Sequence, residues 1–223
     1  MEILSYILVA LAAYLLGSIP TGFLVARVMG VDIRKAGSGN IGATNALRVL
    51  GKPAGILVLL VDAVKGFAAV ALIVNGYPAL CELAPGIFGV GGQPDARLRE
   101  TLGIVAGLFA VLGHNYTCWL GFKGGKGIAT SAGVLTALVP WALLIILSIW
   151  IVLSALTRFV SVGSLAASFT LPFATWFTTG NWTLTAVTGA MGVLAIYKHK
   201  GNIQRLINGT EPRLGQKKPE AAL

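Results

Sequence analysis

Hydrophobic runs of membrane-spanning length, separated by short polar segments, make up most of this chain. Four runs contain no Asp, Glu, Lys or Arg, and they cover residues 3–26, 101–122, 127–157 and 159–197. A helix needs about 20 apolar residues to cross the hydrocarbon core of a bilayer. The third run is long enough for one or two spans, and the fourth is long enough for two. The pattern therefore predicts an all-α, polytopic helical membrane protein.

Turn signals divide these runs into seven predicted transmembrane helices. Pro140 is expected to separate the fourth helix from the fifth, since proline breaks a helix interior, and residues 178–181 are expected to form the turn between the last two. The seven helices are expected at about residues 3–28, 53–76, 101–118, 128–140, 141–157, 162–179 and 182–197. Because 128–140 is short for a full crossing, a five-span arrangement with 128–157 as a re-entrant pair stays open.

The composition excludes a soluble globular domain. The chain is 56% hydrophobic and 11% charged, whereas soluble domains average about 25% charged residues. The region before the first apolar run carries Glu2 and no basic residue, and the run continues past any plausible cleavage site, so it is interpreted as a retained span rather than a signal peptide. We expect a single integral-membrane domain over residues 1–213 and a disordered cytoplasmic tail over 214–223.

The basic residues predict the orientation in the membrane. The net charge is +9, and the Lys and Arg residues are concentrated around two loops and in the C-terminal tail, whereas residues 77–100 balance two Arg against three acidic residues. Because positive residues favour the cytoplasmic side, we expect the N-terminus outside and both loops and the tail in the cytoplasm. Membrane lipids are the expected surroundings, and no nucleic-acid partner is expected.

The first glycine-rich loop, residues 37–45 with the sequence GSGNIGATN, has the residue types that hold a phosphate. Glycines let backbone N–H groups converge on an anion, and the start of a following helix adds the positive end of its dipole. Arg48 follows about one helical turn later and can bind a phosphate bidentately. The side chains expected to donate hydrogen bonds are those of Ser38, Asn40, Thr44 and Asn45.

The second glycine-rich loop, residues 121–127 with the sequence GFKGGKG, adds two lysines to a flexible backbone. Lys126 lies between two glycines and is placed to approach a phosphate closely, whereas Lys123 is interpreted as a lysine that sets the topology. His114 precedes the loop, but Trp119 stands where a His-x4-Asp acyltransferase dyad would need its acid. His114 is therefore interpreted as structural support for the loop.

Two ionisable residues lie inside the second predicted span. Asp62 and Lys65 are three residues apart and fall on one face of a helix. Ionisable residues at membrane depth are costly and are usually functional. The two residues could equally neutralise each other near the cytoplasmic end of the span, so both interpretations stay open.

Polar residues of the C-terminal half form a third candidate group. Ser161 and Ser164 begin the sixth predicted span, where helix capping explains one of them. If the chain stays helical beyond the last span, His199, Asn202 and Arg205 recur at every third residue and share a broad face. That face is expected to project into the same cytoplasmic space as the two loops.

Together these motifs resemble the PlsY family of bacterial integral-membrane glycerol-3-phosphate acyltransferases, which use acyl phosphate as the donor. The resemblance implies a seven-span fold with its active site at the cytoplasmic face of the bacterial inner membrane. It also implies transfer of a fatty acyl group to the 1-hydroxyl of sn-glycerol 3-phosphate, giving lysophosphatidate and inorganic phosphate, the first step of phospholipid synthesis. The matching segments, in chain order, are residues 37–45 with Arg48, residues 113–114 with 121–130, and His199, Asn202, Arg205, Gly209, Glu211 and Arg213.

The resemblance also implies roles for individual residues. The backbone from Gly39 to Gly42 is expected to cradle the acyl phosphate, and Ser164 is preferred to Ser161 because it matches the second serine of the family's Ser-x-x-Ser pair. The implied catalytic residues are Ser38, Arg48, Lys126, His199 and Asn202. The implied substrate-binding residues are Gly39, Asn40, Ile41, Gly42, Thr44, Asn45, Ser164, Arg205 and Glu211.

Acyl phosphate is already activated, so we expect neither a cofactor nor a metal. Arg48 and Lys126 are expected to offset the repulsion between two phosphates, and positioning of this kind can lower a barrier by about 7–11 kcal/mol. N–H groups of the first glycine-rich loop are expected to stabilise the developing oxyanion. Two proton acceptors stay open: a substrate phosphate oxygen, in a direct transfer without an acyl-enzyme, and His199. The sequence thus predicts that three distant segments meet in one cytoplasmic two-phosphate site.

Two other function classes are alternatives. A CDP-alcohol-type phosphotransferase would need Mg²⁺ and clustered aspartates, but only Asp32, Asp62 and Glu211 lie on or near the predicted cytoplasmic side. A transporter of phosphate or an organophosphate would place its anion-binding residues near the bilayer midplane, often in repeated halves. In this chain those residues are predicted on one face, and no internal repeat is detected.

Overall fold

The computed structural model describes residues 2–85 and 96–215, and these residues form α-helices joined by short connections, without a strand among them. The prediction of an all-α protein is therefore confirmed. The chain divides into two compact units, Met1–Pro140 and Trp141–Leu223. Residues 216–223, which make up most of the predicted disordered tail, lie outside the described residues.

Six α-helices and two 3-10 turns build the described part of the first unit. The 3-10 turns are Ile33–Lys35 and Cys118–Leu120, and each precedes one of the glycine-rich loops. The predicted helix start beside the first glycine-rich loop is confirmed, because the last three residues of that loop begin a helix. The helices are α1 (Glu2–Ser18), α2 (Thr21–Val28), α3 (Ala43–Leu50), α4 (Lys52–Leu83), α5 (Ala96–Asn115) and α6 (Ile128–Leu138).

Small residues allow the long helices of the first unit to approach closely. A methyl group on Gly66 of α4 would overlap the backbone of α6 at Thr130, and one on Gly133 of α6 would overlap the backbone of α4 at Ala63. Transmembrane helices associate through such small-residue contacts, because lipid supplies no hydrophobic force between them. The packing of α4 against α6 brings the second glycine-rich loop, which leads into α6, to the end of this helix pair.

The first predicted span is interrupted between Ser18 and Thr21. Pro20 cannot donate a backbone hydrogen bond and so separates α1 from α2. The Thr117 hydroxyl donates to the Ser18 carbonyl at 2.6 Å, and the Lys65 ammonium donates to the Ile19 carbonyl at 2.9 Å. Backbone groups released inside a membrane segment need partners within the protein, and here side chains from elsewhere in the first unit supply them.

The second unit contains the C-terminal helices. The predicted breaks are confirmed. One helix begins at Pro140, Gly180 ends the next helix with φ +61°, and the Asn181 side chain caps the helix after it by accepting from the Leu184 N–H at 3.1 Å. The chain stays helical beyond the last predicted span, as expected, but as two helices: one ends and the next begins at His199. The helices are α7 (Pro140–Thr157), α8 (Val160–Thr179), α9 (Trp182–Lys198) and α10 (Lys200–Ile207).

Five segments of the described chain are long and apolar enough to cross a membrane, namely Ile3–Val28, Lys52–Leu83, Arg97–Leu120, Pro140–Thr157 and Val160–Thr179. They coincide with five of the seven predicted spans. The protein is therefore a polytopic helical membrane protein. The apolar helix Ile128–Leu138 has 11 residues, which at about 1.5 Å per residue is short for the hydrocarbon core. The count of seven spans and their orientation stay predictions.

Candidate active site

The first glycine-rich loop is held in shape by the side chain of Asn45, which is 2% exposed. Its Oδ1 accepts from the Ser38 N–H at 2.9 Å. Its Nδ2 donates towards the carbonyls of Asn40 at 2.8 Å, Ala36 at 3.0 Å and Ile33 at 3.4 Å. An amide has only two N–H donors, so both are engaged by carbonyls of the loop and of the segment just before it. The structure thus places Asn45 beneath the loop rather than on its surface.

Two backbone N–H groups of the predicted cradle also donate to acceptors within the protein. The Gly39 N–H donates to the Ala36 carbonyl at 3.0 Å, and the Gly42 N–H donates to the Asn40 Oδ1 at 2.9 Å. Ala43 and Thr44 form the first turn of α3, where N–H groups lack an intrahelical acceptor. The start of α3 therefore adds a polar backbone edge suited to an anion, next to the predicted cradle. Arg48, on the same helix, is half-buried, and Ser38 is exposed.

The second glycine-rich loop is tied to the end of α5. The Gly124 N–H donates to the Asn115 carbonyl at 3.2 Å, and the Gly125 N–H donates to the His114 carbonyl at 3.0 Å. A methyl group on Gly124 would overlap the His114 carbonyl, and one on Gly125 would overlap the His114 ring. These contacts allow only glycine at both positions. The interpretation of His114 as support for this loop agrees with the geometry.

The two lysines of the second glycine-rich loop differ in exposure. Lys123 is exposed, whereas Lys126, which directly follows the tethered glycines, is half-buried. A cation held between glycines on a fixed backbone is a stronger candidate for a phosphate contact than a solvated one, because the protein has already restricted its position.

In the second unit, Glu211 organises the residues that follow the last long helix. Its carboxylate accepts from the Asn202 Nδ2 at 2.6 Å and from the Arg205 Nε at 2.8 Å. The Glu211 N–H donates to the Arg205 carbonyl at 3.1 Å, so the segment after α10 folds back onto that helix. The Glu211 side chain is 6% exposed. Three of the predicted site residues therefore form one hydrogen-bonded group.

His199 and Ser164 both bind backbone groups one helical turn away. The His199 Nδ1 lies 2.7 Å from the Ala195 carbonyl. A carbonyl can only accept, so Nδ1 carries a proton, and in the neutral form of the ring the lone pair lies on Nε2. The Ser164 hydroxyl donates to the Val160 carbonyl at 2.9 Å and accepts from the Trp150 Nε1 at 3.1 Å. Both side chains are buried.

Comparison with known proteins identifies the family to which this chain belongs. The family model "Glycerol-3-phosphate acyltransferase" matches residues 7–209. The chain belongs to this family. A glycerol-3-phosphate acyltransferase of Synechococcus sp. (strain JA-2-3B'a(2-13)) is 45% identical over 216 residues, covering 96% of this chain and 97% of the relative. One from Clostridioides difficile (strain 630) is 42% identical over 219 residues, covering 98% of this chain and 100% of the relative.

Two solved structures of a glycerol-3-phosphate acyltransferase resemble the chain over nearly its whole length. They are crystal structures of PlsY, an integral membrane glycerol 3-phosphate acyltransferase, in its glycerol 3-phosphate form and in its lysophosphatidic acid form. The TM-scores are 0.80 and 0.78, at 36% sequence identity, and each comparison covers 95% of this chain and 96% of the other. The similarity to a glycerol-3-phosphate acyltransferase thus extends over both units.

Within this acyltransferase family member, the predicted site residues fall into two sets. The first unit holds residues 37–45, Arg48 and Lys126, and the second holds Ser164, His199, Asn202, Arg205 and Glu211. The meeting of the two sets in one site stays a prediction.

In the part of the chain that the structure describes, no group of three or more His, Cys, Asp and Glu residues could hold a metal ion.

One cluster of the acyltransferase was only partly predictable from the sequence. Asp62 and Lys65 were recognisable as a pair, but their contact with His114 was not predicted, because His114 lies 49 residues from Lys65 along the chain. The only available signal was that all three are ionisable residues in or beside apolar segments.

Acid is expected to remove the stabilisation that Glu211 supplies. Burial raises the pKa of Glu211, but hydrogen bonds from Asn202, Ser161 and Arg205 and the Arg205 charge outweigh it, so the pKa lies below the ordinary 4.5. A carboxyl group whose pKa is lowered on folding stabilises the protein above its unfolded-state pKa and loses that effect as the pH falls through its folded-state pKa.

The test is thermal unfolding of the wild type and Glu211→Gln in detergent, followed by tryptophan fluorescence, since four of the five tryptophans lie in the second unit. At neutral pH the variant is expected to be less stable by about 1–2 kcal/mol. Below pH 4.5 the difference should shrink and then vanish. A stability difference that is the same at neutral and strongly acidic pH would contradict the prediction.

Proposed function

We propose that the protein transfers a fatty acyl group from acyl phosphate to the 1-hydroxyl of sn-glycerol 3-phosphate, giving lysophosphatidic acid and inorganic phosphate. The observation that carries the proposal is the match, over 95% of the chain, to PlsY structures in a glycerol 3-phosphate form and a lysophosphatidic acid form. These two molecules differ by the acyl group that such an enzyme adds. The protein is thus proposed to use the same acceptor and to release the same product.

Two half-buried cations in or beside the glycine-rich loops support the phosphate part of this proposal. Arg48 and Lys126 are both half-buried and lie in the first unit. We assign them to the two substrate phosphates, whose mutual repulsion they would offset while holding the hydroxyl beside the acyl carbonyl. The N–H groups of Ala43 and Thr44 would bind negative charge at the start of α3. Asn45 would hold this loop in shape, and Ser38 would contact a phosphate directly.

The polar group of the second unit is proposed to serve the glycerol part of the reaction. His199 would accept a hydrogen bond at Nε2 from a glycerol hydroxyl and so orient the acceptor, since its Nδ1 proton is directed to Ala195. Glu211 would hold Asn202 and Arg205 in place through its two hydrogen bonds. The carboxylate then acts on the substrate through those two side chains.

Direct transfer without an acyl-enzyme is the proposed chemical course, with a phosphate oxygen of the substrate accepting the hydroxyl proton. The competing acceptor is the His199 Nε2. Loss of a general base costs about 100- to 10,000-fold in rate. Because a phosphate oxygen is the proposed proton acceptor, we expect His199→Gln to keep kcat within about tenfold of the wild type at saturating substrate. A larger loss in kcat with unchanged KM would identify His199 as the base, and a trapped acylated Ser38 or Ser164 would exclude direct transfer.

The deciding experiment for the function is an assay of the purified protein with acyl phosphate and glycerol 3-phosphate, in the presence of a chelator. Phosphate release and lysophosphatidic acid formation are expected, each only when both substrates are present. Hydrolysis of acyl phosphate that is independent of glycerol 3-phosphate would contradict the proposal. In sealed vesicles, uptake of labelled glycerol 3-phosphate without turnover would instead identify a carrier.

The protein is an integral membrane protein, and we propose the bacterial inner membrane as its location, with both glycine-rich loops facing the cytoplasm. The basic residues of these loops support this orientation. Lys123 is exposed. A single cysteine introduced in its place should be labelled from the cytoplasmic side of membrane vesicles. Labelling from the periplasmic side alone would contradict the orientation.

A further inference from the structure

Three ionisable side chains are buried together in the first unit. The Lys65 Nζ lies 2.8 Å from the Asp62 Oδ1 and 3.0 Å from the His114 Nδ1. All three side chains are at most 5% exposed, and they belong to α4 and α5, two of the apolar segments long enough to span a membrane. We call Asp62, Lys65 and His114 the ionic hub. The proposed function gives none of them a contact with substrate.

The hydrogen bonds of Lys65 define the state of the ionic hub. An ammonium group donates three hydrogen bonds and accepts none. The acceptors around Lys65 are the Asp62 carboxylate, the His114 Nδ1 and the Ile19 carbonyl, the last at 2.9 Å. His114 must therefore accept at Nδ1, so its ring is neutral and carries its proton on Nε2. The ammonium is fully satisfied and ties α4 to both α5 and the break in the first span.

One side of the ionic hub adjoins the second glycine-rich loop. The His114 ring lies directly against the Cα of Gly125, and the His114 carbonyl accepts from the Gly125 N–H at 3.0 Å. The residue after Gly125 is Lys126. A rotation of the His114 ring would therefore displace the backbone that carries this lysine.

The other side of the ionic hub adjoins the first glycine-rich loop through α2. The Thr21 hydroxyl donates to the Asp62 Oδ1 at 3.0 Å, and Thr21 is the first residue of α2. The next residue, Gly22, lies so close to the Ile41 carbonyl that a methyl group there would overlap it. Ile41 is a buried residue of the first glycine-rich loop. The same carboxylate that pairs with Lys65 thus fixes the helix on which this loop is seated.

We propose that Asp62, Lys65 and His114 are positioning residues, which set the separation of the two glycine-rich loops and hence the placement of their phosphate-binding groups. The inference rests on the proposed function. Stability alone does not account for the ionic hub, because desolvation offsets the attraction of a buried ion pair, and an apolar pair of similar volume is often as stable. Directed hydrogen bonds fix distances and angles that apolar contacts leave adjustable.

The test separates positioning from stability with one double variant and one control. Lys65→Met leaves the Asp62 carboxylate buried without its ammonium partner and is expected to destabilise the protein. Asp62→Asn combined with Lys65→Met removes both charges and is expected to recover part of the thermal stability. The rest stays lost, because the Ile19 carbonyl and the His114 Nδ1 no longer have the ammonium as their donor. The double variant should nevertheless lose on the order of 10- to 100-fold in kcat/KM for glycerol 3-phosphate, because small displacements of positioned groups have effects of this size.

The control is Val70→Ala in the same helix, whose side chain is 1% exposed and lies on the face of α4 near Gly103 and Gly107 of α5. It should lower the melting temperature and leave kcat/KM unchanged. A double variant that recovers part of its stability and keeps the wild-type kcat/KM would overturn the inference, since the ionic hub would then be structural only.

Hydrogen exchange of backbone amides gives a readout that does not depend on turnover. Residues 37–45 and 121–127 should exchange faster in the double variant than in the wild type, and Val70→Ala should not change them. If the wild type does not transfer acyl groups, the proposed function fails, while faster exchange in both loops still supports the inference. Unchanged exchange in both loops overturns it, whatever the activity of the wild type.

Discussion

Replacing Lys126 by methionine is expected to lower kcat/KM for acyl transfer by roughly 100- to 1,000-fold, the usual effect of removing one pre-positioned group that stabilises transition-state charge. Methionine keeps most of the side-chain length but removes the ammonium. Lys126 is half-buried on a backbone fixed by the hydrogen bonds of Gly124 and Gly125, so no other cation is expected to take its place. Steady-state kinetics of the purified variant, with both substrates varied, measures the change.

Lys123→Met is the matched control for this prediction. It makes the same chemical change three residues away in the same loop, but Lys123 is exposed. We expect kcat/KM to stay within about threefold of the wild type, because a solvated lysine is screened and unrestrained. Equal losses in the two variants would show that overall loop charge matters, and would contradict a specific role for Lys126.

Asn45→Asp is expected to destabilise the first unit by roughly 3 kcal/mol, because groups that are buried without a partner each cost about 1–3 kcal/mol. The substitution is isosteric and keeps the acceptor for the Ser38 N–H. It replaces the Nδ2 donor by a carboxylate oxygen that faces the carbonyls of Ile33, Ala36 and Asn40 at 2.8–3.4 Å. Activity should be lost with the shape of the first glycine-rich loop.

Asn40→Asp is the control for this effect, since the Asn40 Oδ1 acts as an acceptor for the Gly42 N–H and a carboxylate preserves that role. Its stability should match that of the wild type within about 0.5 kcal/mol. Thiol labelling during thermal unfolding is a suitable measurement, because Cys81 is buried in the first unit. A stable Asn45→Asp variant would show that Asn45 does not hold the loop.

Local patterns predicted most element boundaries. Pro140 and Gly180 act through their own backbone conformations, so their effect is readable from the residue alone. Pro20 was equally visible, but hydropathy continues across it, and the first span therefore looked uninterrupted. The break is tolerated because Lys65 and Thr117, distant in sequence, satisfy the carbonyls that it releases.

The sequence predicted that the glycine-rich loops suit an anion, but it did not predict which way their side chains point. Residue types identified residues 37–45 as suited to an anion, and the structure confirms that a helix begins beside them. The direction of each side chain was not predictable. Asn45 is buried and holds the loop, whereas Ser38 is exposed, because hydrogen-bond partners from Ile33 and Ala36 draw the Asn45 amide inward.

The sequence by itself determined the fold class, the membrane setting and the family of this protein, because apolar run length, turn residues and short motifs are properties of neighbouring residues. Only the tertiary structure decided which polar groups are inside and what they contact. Asp62 meets Thr21 across 41 residues, and Lys65 meets His114 across 49. Such contacts arise when helices pack and buried polar groups must find partners in a medium without water, and no local pattern specifies them.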